Sequence, residues 1–302
     1  MRTLAHKYFE IESDIYKITK EDYKSLDILI SKAKRINTKD KPTKIVLNIS
    51  NFLIEEGFES RPIKPRKAED VFYLKFKNKK IDCKDYAVLY YSIGEELNLP
   101  LDIVFVPKHF FIRWTKDGTT FNWETTNNKI MSDEEYVSYF KISKDMVDKG
   151  IFLKKLNGSE TLGEAYCVLG NAKSDLALDN PLIAETLKLD GVSDITKAIK
   201  LDPRNPEYYL SRANIYLELL NLDKAYQDCT RTIDLYPDFT LAYLNIVSIK
   251  LSRFDYWGAK SYFQKALEVK PNDFFAIDEL VVDKGLNDFG GFFEKYKTPP
   301  TQ

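Results

Sequence analysis

The chain has 302 residues, with 45 Lys and Arg against 46 Asp and Glu and an apolar fraction of 44%. This near-neutral balance removes the main electrostatic reason to expect a nucleic acid or an anionic membrane as partner, and no apolar run approaches the ~18 residues a membrane helix needs. Two histidines and three scattered cysteines, Cys83, Cys167 and Cys229, are too few for a disulfide framework or a cysteine–histidine zinc cluster, so neither a metal nor a cofactor is expected.

Met1 to Lys20 is studded with charge and lacks the apolar core of a secretory signal, so the expected location is cytoplasmic. Glu21 to Ile36 and Lys41 to Phe58 show the apolar spacing of helices; in the second, Ile45, Ile49, Phe52 and Leu53 form one stripe. A polar link runs from Arg61 to Asp70. In "IDCKDYAVLYYSIGEELNLP", Ile81 to Pro100, Asp82 is suited to cap a helix whose first residue is Cys83, with Asp85 completing an acidic capping box. Ala87, Tyr90, Ile93 and Leu97 supply the buried stripe, and Asn98 to Pro100 stop the helix. A thiol at that position feels the partial positive charge of the helix start. Lys84 acts in the same direction, and Asp82 and Asp85 act against it.

Leu101 to Pro107 reads as a strand from its branched and aromatic content. "HFFIRW" and "TTFNWET" flank Asp117-Gly118, a dipeptide that makes two-residue hairpin turns. Closing that turn pairs Trp114 with Phe121, Arg113 with Asn122, Ile112 with Trp123 and Phe111 with Glu124. Alternation then places Phe110, Ile112, Trp114, Phe121 and Trp123 on a core face. The other face carries His109, Phe111, Arg113, Asn122 and Glu124, with His109 and Glu124 as diagonal neighbours. A helix-start thiol, a strand imidazole and a carboxylate able to orient it are the set a cysteine nucleophile needs.

Residues 83 to 126 resemble the core of the transglutaminase-like superfamily, a papain-like fold with a cysteine-bearing helix followed by strands carrying histidine and then an acid. "DCKDYAVLYYSIGEELNLP" is similar to the nucleophile helix, "HFFIRW" to the histidine strand and "NWETT" to the acid strand. The resemblance implies Cys83 as nucleophile, His109 as base and Glu124 as orienting acid, where the family more often has Asp. The Cys83 backbone N–H is the natural oxyanion donor.

After a stretch expected to be a helical bridge, Ser143 to Lys155, the second half repeats. Pro203, Pro237 and Pro271 are spaced 34 residues apart, each behind a similar phrase: "KAIKLDP", "RTIDLYP" and "KALEVKP". The pattern resembles the tetratricopeptide repeat, a helical hairpin that buries its apolar face only by stacking. Tyr209, Tyr216, Ala225, Cys229 and Pro237 fit one repeat. Tyr243, Ala259, Phe263, Ala266 and Pro271 fit the next, with Lys250 where an aromatic is usual. An earlier, degenerate repeat carries Tyr166, Leu169, Gly170, Ala198 and Pro203, and its excess length suggests an insertion around Leu178 to Asp190. A capping helix at Phe274 to Leu286 and a disordered tail are expected to follow.

The expected organisation is therefore an α+β transglutaminase-like domain over residues 1–142, with helices and a small antiparallel sheet. A helical bridge follows over 143–160 and an all-α repeat array over 161–302. Leu210, Asn214, Leu217, Leu241, Leu244 and Ser248 would line the groove that takes a protein or peptide. Only Asn214 suits a clamp for a C-terminal carboxylate, so that form of binding is not expected. Two functions fit: thiol-dependent acyl transfer on protein amides, of protease, deamidase or transglutaminase type, with the repeats holding the substrate; or a non-catalytic interaction module that retains the fold.

Overall fold

The N-terminal helices form where apolar spacing and caps coincide. In the computed structural model, which describes residues 2–60 and 70–269, α1 (Leu4–Glu12) opens the chain. His6, for which the sequence suggests no role, receives the Thr3 backbone N–H at Nδ1 and contacts Asp27 through Nε2 at 3.1 Å. Next come α2 (Lys20–Lys32), capped by Thr19, and α3 (Pro42–Glu55), whose Ile45, Ile49, Phe52 and Leu53 are buried as the stripe requires. The short strand β1 (Glu59–Ser60) precedes α4 (Phe72–Asn78), and β1 pairs in parallel with β2 (Lys80–Ile81). The residue capping α4, Val71, has no side-chain acceptor. The Glu12 carboxylate fills that role, accepting the Phe72 and Tyr73 amides at 2.9 and 2.7 Å. Burial pushes the Glu12 pKa up to about 7 against those two hydrogen bonds. Phe9 sits in an aromatic cluster with Tyr23, Phe72, Tyr73 and Phe76.

Helix α5 (Cys83–Leu97) begins and ends at the expected residues. Asp82 accepts the Lys84 and Asp85 amides, and Asn98 closes the helix in the left-handed conformation. It packs on a five-stranded antiparallel sheet in the order β6-β5-β4-β3-β7. The strands are β3 (Leu101–Val106), β4 (His109–Lys116), β5 (Thr119–Glu124), β6 (Lys129–Met131) and β7 (Lys155–Leu156). Asp117 and Gly118 both have positive φ, as the tight turn demands, and Trp114, Arg113 and Ile112 face Phe121, Asn122 and Trp123. Trp123 Nε1 donates to Tyr90 Oη and ties the sheet to α5.

The structure adds to the hairpin and repeat readings and changes the bridge. Phe111, Asn122 and Glu124 are buried along with the core face, because α6 (Asp133–Phe140) covers that side of the hairpin. The stretch 143–160 is helical only at α7 (Lys144–Asp148) and the start of the next helix. Between them, β7 pairs with β3 through Leu156 and Ile103. The extra residues of the degenerate repeat, read from the sequence as an insertion around Leu178 to Asp190, are helical. They lengthen both of its helices, α8 (Gly158–Asp179) and α9 (Ala184–Leu201), which are joined by a single 3-10 turn at Pro181–Ile183.

The chain divides into two compact units, Met1–Ser211 and Arg212–Gln302. The division falls within α10 (Pro206–Glu218), so α8 and α9 lie in the first unit. The second unit holds the end of α10, α11 (Leu222–Leu235), α12 (Thr240–Ser252) and α13 (Tyr256–Val269). Tyr216, Ala225, Cys229, Tyr243, Ala259, Phe263 and Ala266 are all buried, which is the packing the 34-residue period implies. Lys250, in the unusual position, ion-pairs with Asp255 at 2.9 Å and lies over the Tyr226 ring. The expected capping helix at Phe274 to Leu286 and the tail lie outside the described residues. The described fold is mostly helical and tetratricopeptide-like in its second half, and none of its helices is long and apolar enough to cross a membrane.

At Gly170, α8 and α9 approach closely. A Cβ there would lie 2.6 Å from both the Gly191 carbonyl oxygen and Ile195 Cγ1. Gly170→Ala should therefore destabilise the first unit by about 1–3 kcal/mol through overpacking, measured as a lowered midpoint in urea with an unchanged slope.

Candidate functional site

The sheet and α5 bring the three candidate residues together. Cys83, the first residue of α5, is half-buried and lies near enough to His109 to contribute to raising its pKa. His109, at the start of β4, contacts Glu124 Oε2 through Nε2 at 2.6 Å, which leaves Nδ1 outside that contact. Glu124, at the end of β5, is buried and fully engaged. Its Oε1 accepts the Thr126 backbone N–H at 3.1 Å and the Thr126 hydroxyl at 2.6 Å, and Oε2 also accepts the Tyr136 hydroxyl at 3.0 Å. The His109 ring is stacked against Phe140 with centroids 5.7 Å apart. Sequence register found the His109–Glu124 contact. It missed Thr126, Tyr136 and Phe140, although the acidic phrase "SDEE" at Ser132 to Glu135 is a cap signal for the helix that supplies the last two.

The charged side chains around the start of α5 pair with one another. Lys75 is buried and meets Asp70, Asp82 and Asp85 at 2.9, 2.7 and 2.8 Å. Lys84 lies 3.7 Å from Asp70 and 3.6 Å from Glu164 of α8. Acids and lysines therefore neutralise one another beneath the helix start. Burial, then the Asp82 charge, pushes the Asp85 pKa up to about 8, and its Oδ1 has no partner among the described residues. Burial also opposes the Asp82 charge, but Lys75 and Lys84 outweigh it and hold that carboxyl well below the usual range. Asp82 takes the Lys84 and Asp85 amides, leaving the Cys83 N–H outside the cap.

Burial works to lower the His109 pKa, but the hydrogen bonds and charges of Cys83 and Glu124 outweigh it and hold the pKa at about 10. Burial likewise works to raise that of Glu124, yet His109 and Thr126 keep it below its ordinary value. The raised value favours the protonated imidazole beside the Glu124 carboxylate at neutral pH. The other cysteines differ. Cys167 is buried in α8 with its thiol pKa pushed well up by desolvation, and Cys229 is buried in the second unit.

The groove candidates separate by exposure. Leu210 and Leu244 are buried, and Leu244 packs in a core with Val247, Leu251 and Phe263. Asn214, Leu217, Leu241 and Ser248 are half-buried. Asn214 Oδ1 accepts the Asn245 amide at 2.7 Å, and sequence reasoning passed over Asn245. Among the described residues, no group of His, Cys, Asp and Glu side chains is arranged to hold a metal ion.

Comparison with known proteins places repeats where the period does. Residues 195–227 and 241–273 each match a tetratricopeptide repeat family model. The chain is 30% identical over 99 residues to Hsp70-Hsp90 organizing protein 2 of Arabidopsis thaliana, covering 33% of this chain and 17% of that protein. It is 26% identical over 164 residues to human RNA polymerase II-associated protein 3, covering 52% and 24%. The chain thus spans a quarter or less of the length of these relatives. Among solved structures, the tetratricopeptide domain of Arabidopsis OM64 is similar at 29% identity, with a TM-score of 0.35 over 43% of this chain and 98% of that one.

The two pKa shifts fix a pH window for the site. The raised His109 contributes stability that is in full below its ordinary 6.5 and is lost as pH rises through about 10. The lowered Glu124 contributes stability present above its ordinary 4.5 and lost as pH falls through its folded value. NMR of the imidazole should show no His109 titration between about pH 6 and 8, and Glu124→Gln should return its midpoint toward the ordinary ~6.5.

Proposed function

We propose that this tetratricopeptide-repeat protein binds a protein partner through its repeats and performs thiol-dependent acyl transfer on a protein amide through Cys83, His109 and Glu124. The observation that carries the chemical part is the His109 imidazole hydrogen-bonded to a fully anchored Glu124, with the Cys83 thiol close enough to help raise the imidazole pKa. The transglutaminase-like reading of residues 1–142 draws its support from the same arrangement, from α5 and from the antiparallel sheet. The functional division into that domain, a bridge and the repeats is part of the proposal. Binding draws support from the two repeat-model matches and from a relative named for organising Hsp70 and Hsp90.

In this mechanism the Cys83 sulfur attacks a carboxamide carbonyl, and the Cys83 N–H meets the developing oxyanion. The C–N bond breaks as His109 gives its proton to the departing amine or ammonia. The acyl group stays on sulfur as a thioester. Water or a second amine then attacks it, His109 takes the proton from that nucleophile, and the thiolate leaves. Water gives hydrolysis or deamidation, and an amine gives transamidation. Glu124 orients the ring and stabilises the imidazolium throughout.

A second reading is an interaction module without chemistry. It is favoured by the comparisons, since both family matches fall in the repeat half and the named relatives are organising and associated proteins. Thiol labelling separates the two. Iodoacetamide should modify Cys83 at least ~10-fold faster than Cys167 and Cys229 near pH 7, because Cys83 is half-buried beside His109 and the other two are buried. Cys83→Ala should abolish amine incorporation or amide cleavage while partner capture persists. Slow, equal labelling of all three cysteines would sink the chemical reading and leave the module.

A further inference from the structure

The glutamate at the acid position is one methylene longer than the aspartate of the resembling family, so its carboxylate has one more torsion to fix. The structure supplies the means through a chain of contacts that starts on the hairpin face. Asn122 Nδ2 donates to Asp133 Oδ1 at 2.7 Å, and Arg113 donates to the same oxygen while its Nε donates to Asn122 at 2.7 Å. Asp133 is the first residue of α6, so the helix starts on β4 and β5. Ser132 caps it, accepting the Glu135 amide at 3.1 Å. One turn later Tyr136 arrives over the face that carries His109, Phe111 and Glu124. Its ring lies on Phe111 with centroids 4.0 Å apart and planes within 8°, and its hydroxyl reaches Glu124 Oε2 at 3.0 Å. From the turn after β5, Thr126 holds Oε1 with both its N–H and its hydroxyl.

We propose that Tyr136 and Thr126 are positioning residues that keep the Glu124 carboxylate aimed at His109, an inference that rests on the thiol chemistry proposed above. The reason is geometric. Each carboxylate oxygen has its own fixed donors, so rotation about the last side-chain torsion would break hydrogen bonds at both oxygens. Without Tyr136, Oε2 keeps only the imidazole. Without the Thr126 hydroxyl, Oε1 keeps only a backbone amide. The charged and titratable groups facing this centre are His109, Asp133, Glu135 and Tyr136 itself. Asp133 is neutralised by Arg113, and burial with the Glu124 charge pushes the Tyr136 phenol well up, so it stays a donor at working pH. Phe140, stacked on the imidazole, limits ring motion from the other side.

The test is the pH profile of Cys83 alkylation by iodoacetamide on the full chain, followed by peptide mass mapping. Wild type, Tyr136→Phe, Thr126→Val, the double variant and Glu124→Gln are compared. Tyr136→Phe keeps the ring that stacks on Phe111, and folding is checked by circular dichroism. At pH 6.5 Tyr136→Phe should slow labelling about tenfold, the effect of losing one charge-assisted hydrogen bond, with Thr126→Val slower than wild type and the double variant slowest. Near pH 9.5, above the ~8.5 of an ordinary thiol, all should converge. If Tyr136→Phe and Thr126→Val match wild type, or slow labelling equally at both pH values, while Glu124→Gln is selectively slow at pH 6.5, the positioning roles are overturned and the thiol chemistry stands. If wild type itself follows the profile of an ordinary thiol and Glu124→Gln changes nothing, both are overturned.

Discussion

The left-handed turn at Asp117 and Gly118 is the constraint on which the site depends. Both residues take positive φ, which matches the twist of the strands they join and sets β4 against β5 in one register. In that register His109 and Glu124 meet on one face. A slip of one residue would turn every side chain of a strand to the opposite face and separate imidazole from carboxylate. The same register sets Arg113 opposite Asn122, and that pair holds the start of α6. The hairpin therefore fixes both the reacting pair and the helix that covers it.

Beneath the thiol, the fold solves a separate electrostatic problem. Lys75, Lys84 and Asp85 are buried around the first turn of α5, and Asp82 and Glu164 are partly so. Burying ions is costly unless they are paired and hydrogen-bonded. The pairing is close to complete, and one unpartnered Asp85 oxygen accompanies a carboxyl whose pKa is pushed up toward neutrality. Such a network fixes where the helix begins, and the helix start fixes where the sulfur lies. It also joins the N-terminal helices to α8, since Lys84 reaches Glu164 and Tyr8 donates to the Thr161 carbonyl oxygen.

In the repeats, period and packing agree where the length is regular and part company where it is not. Between Pro203 and Pro271 the small residues Ala225, Cys229, Ala259 and Ala266 fill the crossings, as stacking of identical hairpins requires. In the degenerate repeat the surplus residues continue as helix. The glycines at 170 and 191 allow the lengthened α8 and α9 to touch through backbone. Asn180-Pro181, a turn signal, ends α8 as it should, but turn chemistry does not say how far a helix extends before it.

What the sequence determined by itself was local. The cap at Asp82, the stop at Asn98, the hairpin turn, strand alternation and the 34-residue period each follow from neighbouring residues, and together they named Cys83, His109 and Glu124. Tertiary structure decided what distant residues do to one another. It placed α6 over the second hairpin face, so Thr126 and Tyr136 close on Glu124. It turned Lys84 toward Asp70 and Glu164. It buried Leu210 and Leu244 while leaving Asn214, Leu217, Leu241 and Ser248 partly open. The physical reason is range. Caps, turns and periodicity are set by backbone geometry over a few residues, whereas burial and charge pairing join side chains far apart along the chain. The thiol's position at a helix start was a matter of sequence; the anchored carboxylate behind its imidazole was a matter of the fold.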